Sequence, residues 1–158
     1  MKKLFLIVCM MVNSALMAVV HAKDAALEYI TDFKDMAVDA MHQTKIPASV
    51  ILAIAMMESA NGNSKVCRVL NNHFGIKGKN SGRINSSYKE YASDEACFRD
   101  FIRVITNKKF YLTAIFNTDP KQWVLAIAKT GYSEAPIVWT GKVYATINKY
   151  NLAAYDRM

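Results

Sequence analysis

Apolar side chains recur at steps of three and four through residues 24–44. Leu27, Ile30, Phe33, Ala37, Ala40 and Met41 share one helical face, with Asp32, Lys34, Asp35 and Asp39 largely away from it. Lys45-Ile46-Pro47 breaks that helix, and Pro47 suits the first turn of the next. Residues 48–58 are apolar almost all round, which places this helix in the centre of a domain. It stops abruptly at Ser59-Ala60-Asn61-Gly62-Asn63-Ser64. Between Asn61 and Ser87, 14 of 27 residues are Gly, Asn or Ser, which is turn and loop chemistry with room for a short hairpin. Ser93 then serves as an N-cap, with Asp94 and Glu95 in the favoured first turn. Cys97, Phe98, Phe101, Ile102 and Ile105 form the inner face of that helix. A short helix over 120–129 carries Trp123, Val124 and Ile127, and a last one carries Val143, Tyr144, Ile147 and Tyr150. The pattern predicts a mainly α domain with one polar excursion in its middle.

The N-terminus reads differently. Lys2 and Lys3 precede a run from Leu4 to Val20 that is apolar apart from Asn13 and Ser14, and Val20-His21-Ala22 offers a cleavage site. This is the pattern of a secretory signal peptide over residues 1–22, leaving a single domain over 23–158. The alternative is an uncleaved anchor, but the run is slightly short for a span of about 20 residues. Cleavage predicts an exported protein, periplasmic or extracellular, with no stable membrane insertion afterwards.

Composition narrows the class. The chain has 158 residues, 53% of them hydrophobic and 21% charged, which excludes disorder. Removing 22 of 158 residues leaves 136, enough for one core. Those 136 carry 18 Lys and Arg against 13 Asp and Glu, a charge of +5 that suits an anionic wall or membrane surface. No run of Lys or Arg exceeds two, so nucleic acid is not expected as a partner. A monomer is the default.

Cys9 leaves with the leader. Cys67 and Cys97 remain, an even number in an oxidising compartment, and are expected to pair. A bridge would close a loop of about 30 residues and contribute roughly 3–4 kcal/mol. The alternative is two buried free thiols. His42 and His73 with two cysteines show no metal-ligand spacing, so no metal is expected.

Glu58 is the candidate for chemistry. It is the only carboxylate between Asp39 and Glu90, and it ends the most hydrophobic helix beside a Gly/Asn loop. Desolvation and the negative end of the helix dipole both disfavour its anion. A carboxylic acid that stays protonated near neutral pH is what a glycosidase uses as general acid. A solvated Glu at a helix end is the plain alternative.

At this point the residues resemble a family. Glu58-Ser59-Ala60-Asn61-Gly62-Asn63-Ser64 resembles the Glu-Ser-Gly-x-Gly-x-Ser turn of family 73 glycoside hydrolases. These are bacterial endo-β-N-acetylglucosaminidases with a lysozyme-like fold. Asn71-Asn72-His73-Phe74-Gly75-Ile76-Lys77 is similar to that family's Asn-Asn-x-Phe-Gly-Ile-Lys segment. The stretch from Tyr91 to Asp100 resembles its Tyr-x-Ser-x-Glu-x-Ser-Phe-x-Asp helix start, and Gly131-Tyr132 followed by Pro136 its Gly-Tyr-Ala-x-x-Pro turn. Order and spacing fit from about Tyr29 to Leu152.

The resemblance implies a peptidoglycan hydrolase that takes glycan strands as substrate and needs no cofactor. It implies Glu58 as catalytic acid and Tyr132 as an active-site tyrosine orienting substrate or water. Phe74, Gly75, Ile76 and Lys77 would line the glycan groove, with Tyr91 beside them. For Tyr132 the alternative is a core aromatic, and for Phe74 to Lys77 a structural turn. Tyr88, Tyr91, Tyr132 and Trp139 could stack on sugars, although aromatics at helical spacing more often belong to a core.

Three departures from the family pattern stand out. Ala60 replaces the usual Gly after Glu-Ser, which limits backbone freedom beside the acid. Ser133-Glu134-Ala135-Pro136 alters the tyrosine block, and the aromatic after the proline is displaced to Trp139. The middle excursion is short, where relatives carry a second carboxylate on a longer lobe. Glu90 is the candidate second acid, since Asp94 and Glu95 are explained as helix N-terminal charges.

Two routes then remain for the second half of the reaction: a distant acid that activates water, or assistance by the substrate's own acetamido group. Two other functions fit the same residues. A lytic transglycosylase would leave 1,6-anhydromuramic ends, and a non-catalytic module would bind the wall without cutting it.

Overall fold

The computed structural model describes residues 25–158, so the leader expected over 1–22 lies outside the described residues. Among the described residues seven helices follow one another: α1 (25–44), α2 (Ala48–Ser59), α3 (Lys65–Leu70), α4 (Asp94–Thr106), α5 (Tyr111–Ala114), α6 (Pro120–Ala128) and α7 (Pro136–Lys149). A 3-10 turn over Leu152–Arg157 closes the chain. Among the described residues no helix is long and apolar enough to cross a membrane.

α2 is the central helix its composition demands. Every residue from Ala48 to Met56 is buried, and α7, α6 and the final 3-10 turn pack around it. Burying a helix on all sides leaves its first N–H groups without water. Pro47 is the N-cap rather than the first-turn residue expected, and its side chain caps nothing. Asp156 supplies the missing acceptor from the far end of the chain: its carboxylate takes the Ser49 N–H at 2.8 Å and the Ser49 hydroxyl at 2.7 Å.

The inner face of α1 is the expected one apart from its first residue: Phe33, Ala40 and Met41 pack against the core beside Ile30 and Ala37. Ala26, Tyr29, Ile30 and Ala37 are buried, whereas Leu27 is 47% exposed. Phe33 lies over this face, its ring stacked on Phe98 of α4 with centroids 5.6 Å apart. The N-cap of α4 is as expected, with the Ser93 hydroxyl accepting the Ala96 N–H at 3.2 Å.

The polar excursion folds as a short irregular hairpin rather than a sheet, with the Gly78 N–H on the Ser87 carbonyl at 2.9 Å and the Lys89 N–H on the Ile76 carbonyl at 2.8 Å. Its one antiparallel bridge pairs Lys77 with Tyr88. Asn72 does most of the fastening: it accepts the Ile76 N–H at 3.1 Å and donates to the carbonyls of Ile76 and Lys89 at 2.9 and 2.7 Å. Asn80 closes the outer end by donating to the Ser86 and Tyr88 carbonyls.

The expected disulfide is absent: Cys67 and Cys97 are buried free thiols. His73 occupies both sulfurs. Its backbone N–H points to Cys97 Sγ at 3.3 Å and its ring Nδ1 lies 3.5 Å from Cys67 Sγ. Each thiol meets a different part of the same histidine instead of meeting the other, and burial pushes both up to about 12.

Candidate active site

Glu58 is the penultimate residue of α2, and the backbone reverses directly after Ser59. Ala60, Asn61 and Gly62 all have positive φ, at 52°, 53° and 78°. The Asn61 N–H returns to the Met56 carbonyl at 2.8 Å, and the Gly62 N–H bonds the buried Ser59 hydroxyl at 2.8 Å. This turn stops the apolar helix at once and leaves Glu58 half-buried at its rim.

Four further groups meet at Glu58. The Trp139 indole N–H, from α7, donates to Glu58 Oε1 at 2.8 Å. The other oxygen, Oε2, faces Gly75, where an added Cβ would lie 3.3 Å away. Tyr88 borders the same place, 3.8 Å from that Cβ position. Tyr132 stands against Trp139 with ring centroids 5.4 Å apart, and its hydroxyl donates to the Phe74 carbonyl at 2.7 Å. Burial raises the Glu58 carboxyl above its ordinary value, and the Trp139 hydrogen bond only partly offsets this. Burial likewise holds the Tyr132 hydroxyl well above its usual range, with the Glu58 charge adding to the effect, so it works as a hydrogen-bond donor.

The remaining expected residues divide. Phe74 is fully buried, stacked on Phe101 with centroids 4.0 Å apart, and offers the site only its carbonyl. Ile76 packs against the core. Lys77 is exposed, its ammonium 3.7 Å from the Tyr88 ring centre. Tyr91 presents no free face: it is buried and donates to Asp100 at 2.8 Å, bracing the loop against α4.

Glu90 is engaged elsewhere. It pairs with Arg83 and accepts the Ser81 N–H at 2.7 Å. The Ser81 hydrogen bonds, and after them Arg83, keep its carboxyl below the usual range. That makes it the anchor of the loop's outer turn.

Behind the site, His73 joins α1 to the start of α4. The Tyr29 hydroxyl lies 2.6 Å from His73 Nδ1, and Asp94 lies 2.9 Å from Nε2. An Nε2–H tautomer satisfies both, donating to Asp94 and accepting from Tyr29. Asp94 therefore does more than charge a helix end. Among the described residues no group of three His, Cys, Asp or Glu side chains is placed to hold a metal ion.

Comparison with known proteins bears on this arrangement. The glucosaminidase family model, described as mannosyl-glycoprotein endo-beta-N-acetylglucosaminidase, matches residues 34–152. Exo-glucosaminidase LytG of Bacillus subtilis (strain 168) is 28% identical over 131 residues, covering 70% of this chain and 46% of its own. The chain thus spans about half the length of that curated relative. The catalytic domain of the autolysin Auto from Listeria monocytogenes superposes with a TM-score of 0.70 at 22% identity, over 83% of this chain and 87% of that one. The glycoside hydrolase domain of FlgJ from Salmonella typhimurium gives 0.65 at 21% identity, over 82% and 90%. The mainly helical, lysozyme-like architecture expected from the sequence is the one these domains share.

Proposed function

The chain belongs to the glucosaminidase family of glycoside hydrolases, and from that premise we propose that it cuts peptidoglycan. The bond is the β-1,4 link between N-acetylglucosamine and N-acetylmuramic acid, with Glu58 as general acid. The observation that carries this reading is the Glu58 carboxyl itself: half-buried, raised in pKa by burial, and turned towards a loop of Gly75, Lys77 and Tyr88.

Protonated Glu58 gives its proton to the glycosidic oxygen as the C1–O bond breaks. The bonding electron pair stays on that oxygen, and positive charge develops at C1. Glu90 is tied to Arg83 and Ser81, which favours assistance by the substrate over a protein base. The acetamido carbonyl oxygen bonds to C1. Water then adds to C1 as that C1–O bond breaks, and gives its proton to the Glu58 carboxylate, which restores the acid. Tyr132, fixed to the Phe74 carbonyl, supplies a rigid wall for the sugar.

The leader over 1–22 would carry the enzyme out of the cytoplasm, where a basic surface favours the anionic wall.

The test is a digest of purified sacculi by wild type and by Glu58→Gln, read by mass spectrometry after borohydride reduction. Reduced N-acetylglucosamine ends made only by the wild type are expected. Anhydromuramic ends would make the protein a lytic transglycosylase. No new ends from a folded protein that still binds sacculi would leave a binding module.

A further inference from the structure

We propose that Trp139 is the positioning residue of the general acid: by holding Oε1 it makes Oε2 the oxygen that carries and delivers the proton. The inference rests on the reading of Glu58 as the acid.

The indole can donate a hydrogen bond and cannot accept one. It donates to Oε1 at 2.8 Å. In a neutral carboxylic acid the carbonyl oxygen is the stronger acceptor and the hydroxyl oxygen the weaker. The indole bond therefore favours Oε1 as the carbonyl oxygen and the proton on Oε2. That is the oxygen directed at Gly75, where any side chain would crowd it, a Cβ lying 3.3 Å away.

The partner is as fixed as the acid. Trp139 is buried, and its ring stands against Tyr132, whose hydroxyl is bonded to the Phe74 carbonyl. Phe74 immediately precedes Gly75, so one short chain of contacts sets the Trp139 donor and Gly75 on the two sides of one carboxyl. The titratable groups around Glu58 are Tyr132, from the turn before α7, and Tyr88, which borders the same Gly75 position from the loop. Lys77, also on that loop, lies over the Tyr88 ring.

The hydrogen bond also gains strength during the reaction. As Oε2 loses its proton, negative charge spreads to Oε1 and the indole bond becomes charge-assisted. An interaction that strengthens on the way to the transition state accelerates the chemical step rather than substrate binding.

The test compares Trp139→Phe with replacement of Trp139 by β-(3-benzothienyl)alanine, which keeps the bicyclic shape and substitutes sulfur for N–H. Steady-state rates on soluble peptidoglycan fragments are followed across pH. Both variants should lose kcat by roughly tenfold to a hundredfold with KM little changed. In both, the basic limb of the kcat profile should move to higher pH by about one pH unit, because the carboxylate has lost a donor. A sulfur isostere with wild-type kcat and an unmoved limb would overturn the proposal, even if Trp139→Phe were inactive, because shape alone would then account for the loss. Failure of the underlying reading is separate: it would show as full activity in Glu58→Gln, with Trp139 intact.

Discussion

The Trp139 indole N–H donates to Glu58 Oε1 at 2.8 Å, joining two residues 81 positions apart in the chain. Among the described residues it is the one hydrogen bond that Glu58 receives from a side chain, and it comes from α7. The arrangement fixes one carboxyl oxygen and leaves the other towards Gly75, so changes at Gly75 and at Glu58 have separable consequences.

Gly75→Ala should disable the enzyme through the acid. Gly75 has φ +65°, and the added Cβ would lie 3.3 Å from Glu58 Oε2. The strained backbone costs about 1–2 kcal/mol of stability. Displacement of the acid costs more in rate, on the order of a hundredfold in kcat. Turnover beside a thermal melt separates the two effects, and wild-type turnover would show that Oε2 does not deliver the proton.

Glu58→Gln should unfold at a higher temperature than the wild type near neutral pH. Burial raises the folded-state pKa of Glu58 above its ordinary 4.5, so the folded protein holds this proton more tightly than the unfolded chain does. Stability therefore falls as pH rises from about the ordinary glutamate value through the raised one. The neutral amide escapes that loss. Melting curves should converge at pH values below 4.5, where both side chains are uncharged. A gap of equal size at low pH would mean that the amide acts through packing instead.

Ala60→Gly should stabilise the protein without altering its chemistry. Ala60 is the C-cap of α2 at φ 52° and ψ 50°, a left-handed conformation that costs a residue with a Cβ about 1 kcal/mol. Glycine relieves most of that, giving a gain of about 1 kcal/mol measured by denaturant unfolding. A loss of stability would indicate that greater freedom in the unfolded chain outweighs the relief.

The fold and the desolvated setting of Glu58 were legible because their signals are local. An all-apolar helix announces its burial, and a carboxylate where that helix meets a Gly/Asn turn announces its environment. Trp139 carries no such signal. Its role depends on how α7 is set against α2, and residues 133–136 alter the local pattern that would have pointed to it. Leu27 shows the same gap on a smaller scale: the periodicity gave the helix and the rest of its inner face, while packing left this first residue exposed. The cysteines show it again. Their even number suggested a bridge, but His73 holds Cys67 on its ring and Cys97 on its backbone. Tyr91 looked like a groove residue because it lies beside the loop, and its hydroxyl instead turns inward to Asp100.

Asp156→Ala should weaken the whole domain while leaving catalysis intact in what remains folded. Among the described residues Asp156 is the side chain that serves the buried start of α2, through the N–H and hydroxyl of Ser49. Ser49 is fully buried, so removing the carboxylate strands two donors away from water. Loss of such a cap costs about 2 kcal/mol. The affected end of α2 is the opposite one from Glu58, roughly 15 Å away at 1.5 Å per helical residue. The expected result is a lower unfolding midpoint with kcat and the basic pH limb unchanged below the melt. A shifted pH limb would instead show that the helix transmits strain from its buried start to the acid at its end, and that α2 acts as a lever rather than a fixed post.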